Sequence, residues 1–355
     1  MGAESSTTTT VITTPAATTT TTTNTSNQDQ QTHQLSKADM DKLEEESISD
    51  NELEELRKKH REQFKLKMDM RKEEFSALRN SNTLEDALEC MNKMGHCVNN
   101  IDPSEAKAKV TNGINKKICF IVVNTYVKPQ YQLGVGPMND AVTVAMNHKR
   151  FGYCVLYLHN STPTIFKKWL KFLLESTEND LTIFYTGHGC TLADKNGDES
   201  DGYDEVMLFD SGYVVDDELG EYLTKYAHGQ RIVLLSDCCH SGSMWDIQSI
   251  LNAKKSIASN IISISSAKDE QTAKQTKIDK KDQGIFTYYF WELMEQNQDI
   301  STKEMESKIN PLIGKFSQHF SYAATSSSIA SEPIFPDRER PVHHRRGERK
   351  GPKKE

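Results

Sequence analysis

From about residue 115 onward, short apolar runs alternate with longer amphipathic stretches. Five runs rich in Val, Ile, Leu and Phe have the length of buried strands, and they span residues 117–123, 153–158, 181–185, 231–237 and 257–265. Apolar positions recur at helical spacing over residues 139–148, 164–175, 216–226, 286–294 and 303–313. This alternation predicts an α/β fold in which helices cover both faces of a mostly parallel sheet.

The chain before this region has a different texture. Residues 1–34 are rich in Thr and cannot bury a core, so we expect them to be disordered. Residues 35–114 are strongly charged and contain two helical patterns. One follows a capping box at 49–52, and the other starts at 83–86 and ends near Gly95. We interpret 35–114 as a helical pro-region or partner-binding arm, with a solvated charged helix as the alternative.

Composition excludes some classes of partner and compartment. The 355 residues include 43 basic and 51 acidic side chains, a formal net charge of -8, so we expect no nucleic-acid partner. No apolar run is long enough for a membrane helix, and no secretory signal is predicted. Membrane attachment would require myristoylation of Gly2, whose sequence context permits it. Seven cysteines without an export signal indicate reduced thiols and a cytoplasmic location.

Two predicted strands end in residues suited to nucleophilic catalysis. The third strand runs into Tyr-Thr-Gly-His-Gly at 185–189, and the fourth into Asp-Cys-Cys-His-Ser-Gly at 237–242. Because parallel strands end at one edge of a sheet, we expect His188 and Cys239 to lie there together. Glycines on both sides of His188 allow a sharp turn that leaves the imidazole open. A Cys thiolate can attack a peptide carbonyl while the imidazole transfers the proton, so the pair predicts acyl transfer.

Two other interpretations of this pair remain open. The thiol and the imidazole could be inert groups packed in the core, because thiol reactivity depends on exposure and charge. A zinc site would need Cys238, Cys239, His240 and His188 to converge. That arrangement is disfavoured because adjacent strand residues point to opposite faces, which also turns Cys238 away from its neighbour.

These motifs together resemble the metacaspases. The resemblance covers about residues 116–335, and it rests on both catalytic motifs and on residues 138–141, 198–205, 215–219 and 265–272. It implies a caspase-like fold in a monomeric peptidase domain at 115–335, with a large-subunit part at 115–266 and a small-subunit part at 267–335. His188 and Cys239 would be the catalytic dyad of a cysteine endopeptidase. Residues 336–355 form a basic tail that we expect to be disordered.

The resemblance also implies a substrate. Asp140 and Asp237 match the acidic residues of the metacaspase primary pocket, and Thr186 stands where the family usually has a pocket Ser. Carboxylates there would pair with Arg or Lys before the scissile bond of a protein or peptide substrate. For Asp140, a helix N-terminal cap is the alternative. Basic residues between the two subunit parts predict self-processing of a zymogen, at Lys274, Lys277, Lys280 or Lys281.

Calcium is the implied cofactor. The acidic stretch before Glu205 lacks the Gly that an EF-hand loop requires, so that type of site is rejected. Matched motif by motif, the ligands in metacaspases that resemble this chain would be Asp204, Asp216, Asp217 and Asp246, with Asp201 as the alternative to Asp204. A solvated acidic loop with an N-cap at Asp216 would also explain these residues.

Two rival functions follow from the same residues. A catalytically silent relative could act as a scaffold through its N-terminal helices, and then His188 and Cys239 would be dispensable. A caspase-like protease specific for Asp is disfavoured, because Asp237 would repel an acidic substrate.

Overall fold

The structure of the chain is a computed structural model. It describes several helical positions between residues 51 and 66 and the ranges 83–109, 116–193, 203–239, 244–252, 257–266, 275–278 and 281–336. The predictions for residues 1–34 and for nearly all of the tail at 336–355 lie outside the described residues. Leu56, an apolar residue of the helical pattern that follows residues 49–52, is 44% exposed.

The elements agree closely with the pattern of apolar residues. The strands are, in chain order, β1 (His96–Cys97), β2 (Lys117–Val123), β3 (Cys154–His159), β4 (Asp180–Thr186), β5 (Gly189–Ala193), β6 (Tyr203–Phe209), β7 (Gly212–Val215), β8 (Arg231–Asp237), β9 (Asn260–Ser265), β10 (Gln275–Ile278), β11 (Lys281–Gly284) and β12 (Ser321–Ala324). The α-helices with defined bounds are α1 (Leu84–Met94), α2 (Pro103–Lys109), α3 (Gly136–Arg150), α4 (Pro163–Ser176), α5 (Asp216–Tyr226), α6 (Ile247–Asn252), α7 (Ile285–Gln296) and α8 (Thr302–Ile313).

In the described part of the chain, the main sheet has seven strands in the order β1-β3-β2-β4-β8-β9-β12. All neighbouring pairs are parallel except β9 and β12, which are antiparallel. Two smaller antiparallel sheets, β5-β6-β7 and β10-β11, accompany it. The mostly parallel α/β fold predicted from the sequence is confirmed.

Apolar side chains fill both faces of the main sheet. One core packs α1, α3, α7 and α8 against residues such as Ile121 and Ile264. The other packs α4, α5 and α6 against residues such as Phe120 and Leu234. Strands buried on both sides need apolar residues at every position, which is why they are continuous apolar runs in the sequence.

The helix α1 belongs to the first of these cores. Thr83 caps it by accepting the N–H of Asp86 at 3.2 Å, and Gly95 ends it, as expected. Met91 is completely buried among residues of α3 and β3, while β1 adds a parallel strand beside β3. Helix α1 and strand β1, which precede residue 115, therefore pack with elements that follow it.

No helix of the described residues has the length and apolar character needed to cross a membrane. All seven cysteines are described, and none forms a disulfide.

The histidine at position 148 is completely buried between α3 and β4. Its Nδ1–H donates to the Val144 carbonyl at 2.9 Å, and its Nε2 lies 3.1 Å from the Thr182 hydroxyl. Burial lowers the pKa of His148 from 6.5 to about 4. The folded state therefore holds the neutral imidazole.

We expect replacement of Met91 by Ala to lower the free energy of unfolding by about 2–5 kcal/mol, because it leaves a cavity in the core. Urea unfolding of the whole chain measures this loss. Glu85→Ala, on the exposed side of the same helix, should cost less than about 1 kcal/mol. Equal losses in the two variants would mean that α1 does not belong to the core.

Because of His148, the free energy of unfolding should decrease as the pH is lowered. The pKa is lower in the folded state, so this contribution is complete above pH 6.5 and is lost as the pH falls toward 4. The difference of about 2.5 between the pKa values of the unfolded and folded states corresponds to roughly 3 kcal/mol in the free energy of unfolding. Unfolding of His148→Asn should depend less steeply on pH in this window, whereas the exposed variant His228→Gln should keep the parent slope. Parallel curves for parent and His148→Asn would contradict this expectation.

Candidate active site

The predicted dyad lies where the neighbouring strands β4 and β8 end. Thr186 pairs in register with Asp237, so His188 and Cys239 are each two residues beyond the last pair. The backbone of Gly189 then packs against Cys239 so closely that a Cβ at position 189 would overlap the Cys239 carbonyl oxygen. The fold thus brings His188 next to Cys239. Their catalytic role stays a prediction.

The two adjacent thiols have different environments. Cys238 is 1% exposed and packs in the core that α4, α5 and α6 cover. Cys239 is partly exposed, as is His188. The alternation of side chains along the strand therefore leaves Cys239 as the thiol that a substrate could reach.

Two tyrosine hydroxyls hold the backbone of His188. The His188 N–H donates to the Tyr126 hydroxyl at 2.6 Å, and the Tyr185 hydroxyl donates to the His188 carbonyl at 2.7 Å. Both hydroxyls also lie 3.0 Å from the Leu208 carbonyl. Burial raises the pKa of both phenols, so both keep their protons and can donate. These bonds fix the position from which the imidazole extends.

A backbone carbonyl orients the imidazole itself. His188 Nε2 lies 2.9 Å from the carbonyl oxygen of Tyr131. Since a carbonyl can only accept, this bond requires a proton on Nε2. In the neutral imidazole, the lone pair is then on Nδ1 and can accept a proton. The ring of Tyr126 packs on the imidazole with centroids 4.9 Å apart.

Sequence reasoning did not find Tyr126 and Tyr131. Both lie in the segment that follows β2, at the same sheet edge as His188. The polar residues that follow β2, beginning at Asn124, could have indicated that this segment lies at the site. The contribution of Tyr131 is a backbone atom, which leaves no signature in the sequence.

The two predicted pocket carboxyls converge on Gly284, the residue before α7. A Cβ at this position would overlap Asp237 Oδ2 and lie 2.9 Å from Asp140 Oδ2. The Gly284 N–H donates to Asp140 Oδ1 at 2.8 Å, and the Thr287 hydroxyl donates to Asp237 Oδ2 at 2.7 Å. Only a residue without a side chain fits between these carboxyls.

Both carboxyls are removed from water. Asp140 is 1% exposed and Asp237 is 7% exposed. Burial and then the proximity of Asp237 raise the pKa of Asp140 well above its ordinary value, and burial also raises the pKa of Asp237. Asp140 Oδ2 accepts no hydrogen bond from the described residues. A cation beside this pair would relieve the repulsion between the carboxylates.

Strand β11 covers the pair in this structure. Asn139 Nδ2 donates to the Asp282 carbonyl at 2.8 Å, which adds to the bond between Gly284 and Asp140. Thr186, the predicted pocket hydroxyl, is 1% exposed beside Asp237. The predicted pocket residues are therefore together but closed off, and their role in binding stays a prediction.

Three predicted calcium ligands lie where β6 and α5 begin. Asp216 is the first residue of α5, and it accepts the N–H of Glu205 on Oδ2 at 2.9 Å and the N–H of Asp217 on Oδ1 at 2.8 Å. Asp204, next to Glu205, is 6% exposed. The alternative of an N-cap at Asp216 in a solvated loop is wrong, because Val215 is the N-cap residue and Asp216 is a buried residue of the first helical turn.

The fourth predicted ligand, Asp246, approaches the same helix from another loop. A Cβ on Gly220 would lie 3.3 Å from Asp246 Oδ2, one turn beyond Asp216. Even so, no three His, Cys, Asp or Glu side chains of the described residues are arranged to hold a metal ion. The four carboxylates do not fit a preformed calcium cage, and Asp201 lies outside the described residues. Calcium dependence stays a prediction from the resemblance.

Replacement of Gly189 by Ala should disrupt the site, because the new methyl would overlap the Cys239 carbonyl oxygen. We expect a lower melting temperature and slower alkylation of Cys239 by iodoacetamide. Gly314→Ala is the matched control, since nothing lies within 4 Å of a Cβ there. An alkylation rate and melting temperature equal to those of the control would show that Gly189 does not set the distance between the two loops.

Comparison with known proteins agrees with this geometry. Residues 154–248 match the family model described as Metacaspase, peptidase C14 domain, a segment that includes both His188 and Cys239. Metacaspase-1 of Schizosaccharomyces pombe is 27% identical over 215 residues, which cover 42% of this chain and 50% of that protein. Metacaspase-1B of Aspergillus clavatus is 29% identical over 164 residues, covering 41% and 40%.

Metacaspase-1 of Scheffersomyces stipitis is 36% identical over 93 residues, covering 24% of this chain and 23% of that protein. The chain therefore matches half or less of the length of these relatives. The resemblance seen in the sequence motifs is confirmed, because residues 154–248 are similar to the metacaspase peptidase C14 family.

Proposed function

We propose that the chain is a cysteine endopeptidase that cleaves protein or peptide substrates after Arg or Lys. Cys239 is the nucleophile and His188 transfers the proton. The observation that carries this proposal is the bond between His188 Nε2 and the Tyr131 carbonyl, because it prepares the imidazole as a base beside a partly exposed thiol.

The proposed reaction uses these residues in two steps. His188 Nδ1 takes the thiol proton, and the Cys239 thiolate attacks the carbonyl carbon before the scissile bond. Backbone N–H groups near Gly189 and Cys239 stabilise the oxyanion. The imidazolium then protonates the leaving amine, and water hydrolyses the thioester with the imidazole again acting as base.

Specificity for a basic side chain rests on Asp140 and Asp237. Asp237 is two residues before the nucleophile, so a side chain bound beside it belongs to a residue next to the scissile bond. The cation of Arg or Lys would donate a hydrogen bond to Asp140 Oδ2, which accepts none from the described residues. An acidic side chain would bring a further carboxyl to a buried acidic pair and supply no positive charge, which makes an Asp-specific protease the poorer proposal.

A substrate side chain must first displace part of the chain. The Asp282 carbonyl and the Gly284 N–H occupy the approach to the two carboxyls. We therefore propose that the described arrangement is a zymogen. Self-processing would act on the segment that contains β10 and β11, where Lys277 and Lys281 lie, whereas Lys274 and Lys280 are outside the described residues.

Calcium dependence, a monomeric peptidase domain and a cytoplasmic location belong to the same proposal. The chain offers buried carboxylates at Asp204, Asp216 and Asp246, which a hard cation would neutralise if the loops around α5 rearranged. The location is supported by seven cysteines of which none is in a disulfide. Attachment to a membrane would still depend on Gly2, which lies outside the described residues.

We expect a peptide that ends in Arg to be hydrolysed in the presence of calcium, and a matched peptide that ends in Asp to be left intact. Cys239→Ala should abolish turnover because it removes the proposed nucleophile. Cys190→Ala, which removes a neighbouring thiol, is the matched control and should retain turnover. Asp237→Asn should raise KM for the Arg peptide by removing one carboxylate.

The paired design separates the parts of this proposal. Hydrolysis of the Asp peptide would contradict the proposed specificity for Arg or Lys. Turnover without calcium would contradict the proposed calcium dependence. If neither peptide is hydrolysed by the folded, processed protein, the silent scaffold becomes the better account.

A further inference from the structure

We propose that Asp210 is a positioning residue that keeps the Tyr131 carbonyl in place for His188; this inference rests on the proposed function. Asp210 lies in the turn between β6 and β7, far from both catalytic residues in sequence. It is no part of the predicted dyad, pocket or calcium set.

The carboxylate of Asp210 binds two consecutive backbone groups of the loop that follows β2. Its Oδ2 accepts the N–H of Val127 at 2.9 Å, and its Oδ1 accepts the N–H of Lys128 at 3.0 Å. Both oxygens are thus used on one short stretch of chain. Hydrogen bonds to a charged acceptor are stronger than those between neutral groups, so this two-point contact holds the loop firmly.

A continuous series of hydrogen bonds leads from this contact to the imidazole. Lys128 precedes the single 3-10 turn of residues Pro129–Tyr131, and its carbonyl accepts the Tyr131 N–H at 3.0 Å. The Tyr131 carbonyl in turn receives Nε2–H of His188 at 2.9 Å. A shift of Lys128 therefore moves the Tyr131 peptide and with it the acceptor of the imidazole.

Packing alone does not fix the tip of this loop. Val127 is 71% exposed, and residues 128–130 are exposed as well. The start of the loop has separate support, because the N–H groups of Thr125 and Tyr126 both donate to Asn160 Oδ1, at 2.8 and 2.9 Å. The bonds to Asp210 hold Val127 and Lys128, at the start of the turn that ends in Tyr131. The far end of the loop is held by the Leu133 N–H, which donates to the Thr125 carbonyl at 3.2 Å.

The consequence for the reaction is specific. Without the Tyr131 carbonyl, the proton of the neutral imidazole is no longer confined to Nε2, and the ring can rotate away from Cys239. Substrate binding at Asp140 and Asp237 is untouched by this change. Loss of Asp210 should therefore lower kcat while KM stays nearly constant.

The test compares Asp210→Ala, Asp210→Asn and Ser211→Ala in the full chain. Ser211 is exposed in the same turn and serves as the matched control. We expect Asp210→Ala to lower kcat for the Arg peptide by about 10- to 100-fold, the scale of a misplaced catalytic group. Asp210→Asn keeps one carbonyl acceptor and the shape of the side chain, so it should lose less and remain folded even if the Ala variant does not.

A second readout does not require peptide hydrolysis. The rate of Cys239 alkylation by iodoacetamide reports the thiolate, which depends on the imidazole near neutral pH. Asp210→Ala and Asp210→Asn should be alkylated more slowly than the parent at pH 7 and equally fast at high pH, where hydroxide alone ionises the thiol. Cys239→Ala identifies the background from the other cysteines.

These outcomes separate the inference from the proposed function. If the parent hydrolyses neither peptide but its Cys239 reactivity falls in the Asp210 variants, the endopeptidase proposal fails and the positioning role stands. If a folded Asp210→Ala keeps both kcat and the alkylation rate of Ser211→Ala, the positioning role is overturned. Where the Ala variant does not fold, the same result for Asp210→Asn overturns it.

Discussion

The parallel pairing of β4 with β8 is the constraint on which the site depends. The two strands pair in register as far as Thr186 and Asp237, so both strands end at the same position along the sheet edge. Gly189 then allows its backbone to pack against the Cys239 carbonyl oxygen, where any larger residue would collide. Strand register therefore determines which His and Cys meet, and one glycine determines how closely they approach.

Backbone and uncharged groups hold the imidazole. The tyrosine hydroxyls fix the backbone of His188, and the Tyr131 carbonyl fixes its ring. A carbonyl selects the tautomer without adding a full negative charge beside the thiol, where such a charge would oppose formation of the thiolate. The carboxylate of Asp210 does not contact the imidazole; it accepts the N–H groups of Val127 and Lys128 in the loop that follows β2.

Much of the scaffold could be predicted because buried parallel strands have a simple pattern. The bounds of β2, β8 and α5 are those expected from the sequence, and those of β3, β4 and β9 are displaced by a few residues at most. Strand β12 of the main sheet was not predicted. The small sheets were harder to predict, because their short strands include partly exposed positions and lack a continuous apolar run. The same applies to β1, whose two residues are both exposed.

The site was predictable only as far as its side chains have characteristic spacing. His188 and Cys239 could be found because each follows an obvious strand. The Tyr131 carbonyl could not, since any residue supplies a carbonyl and only the path of the loop makes this one useful. Gly284 illustrates the same limit, because its contact with Asp140 joins residues that are 144 positions apart.

The neighbours of Asp140 and Asp237 offset only part of the cost of ionising these two buried carboxyls. Burial raises the pKa of both carboxyls, and the proximity of Asp237 raises the pKa of Asp140 further, so ionisation of both has a cost. The Gly284 N–H and the Thr287 hydroxyl supply dipoles but no positive charge. A guanidinium or ammonium group that replaced the Gly284 contact would bring that charge, and both carboxyls would ionise around it. Displacement of β11 and binding of a basic side chain are therefore linked steps, because the cation supplies the stabilisation that the departing backbone group removes.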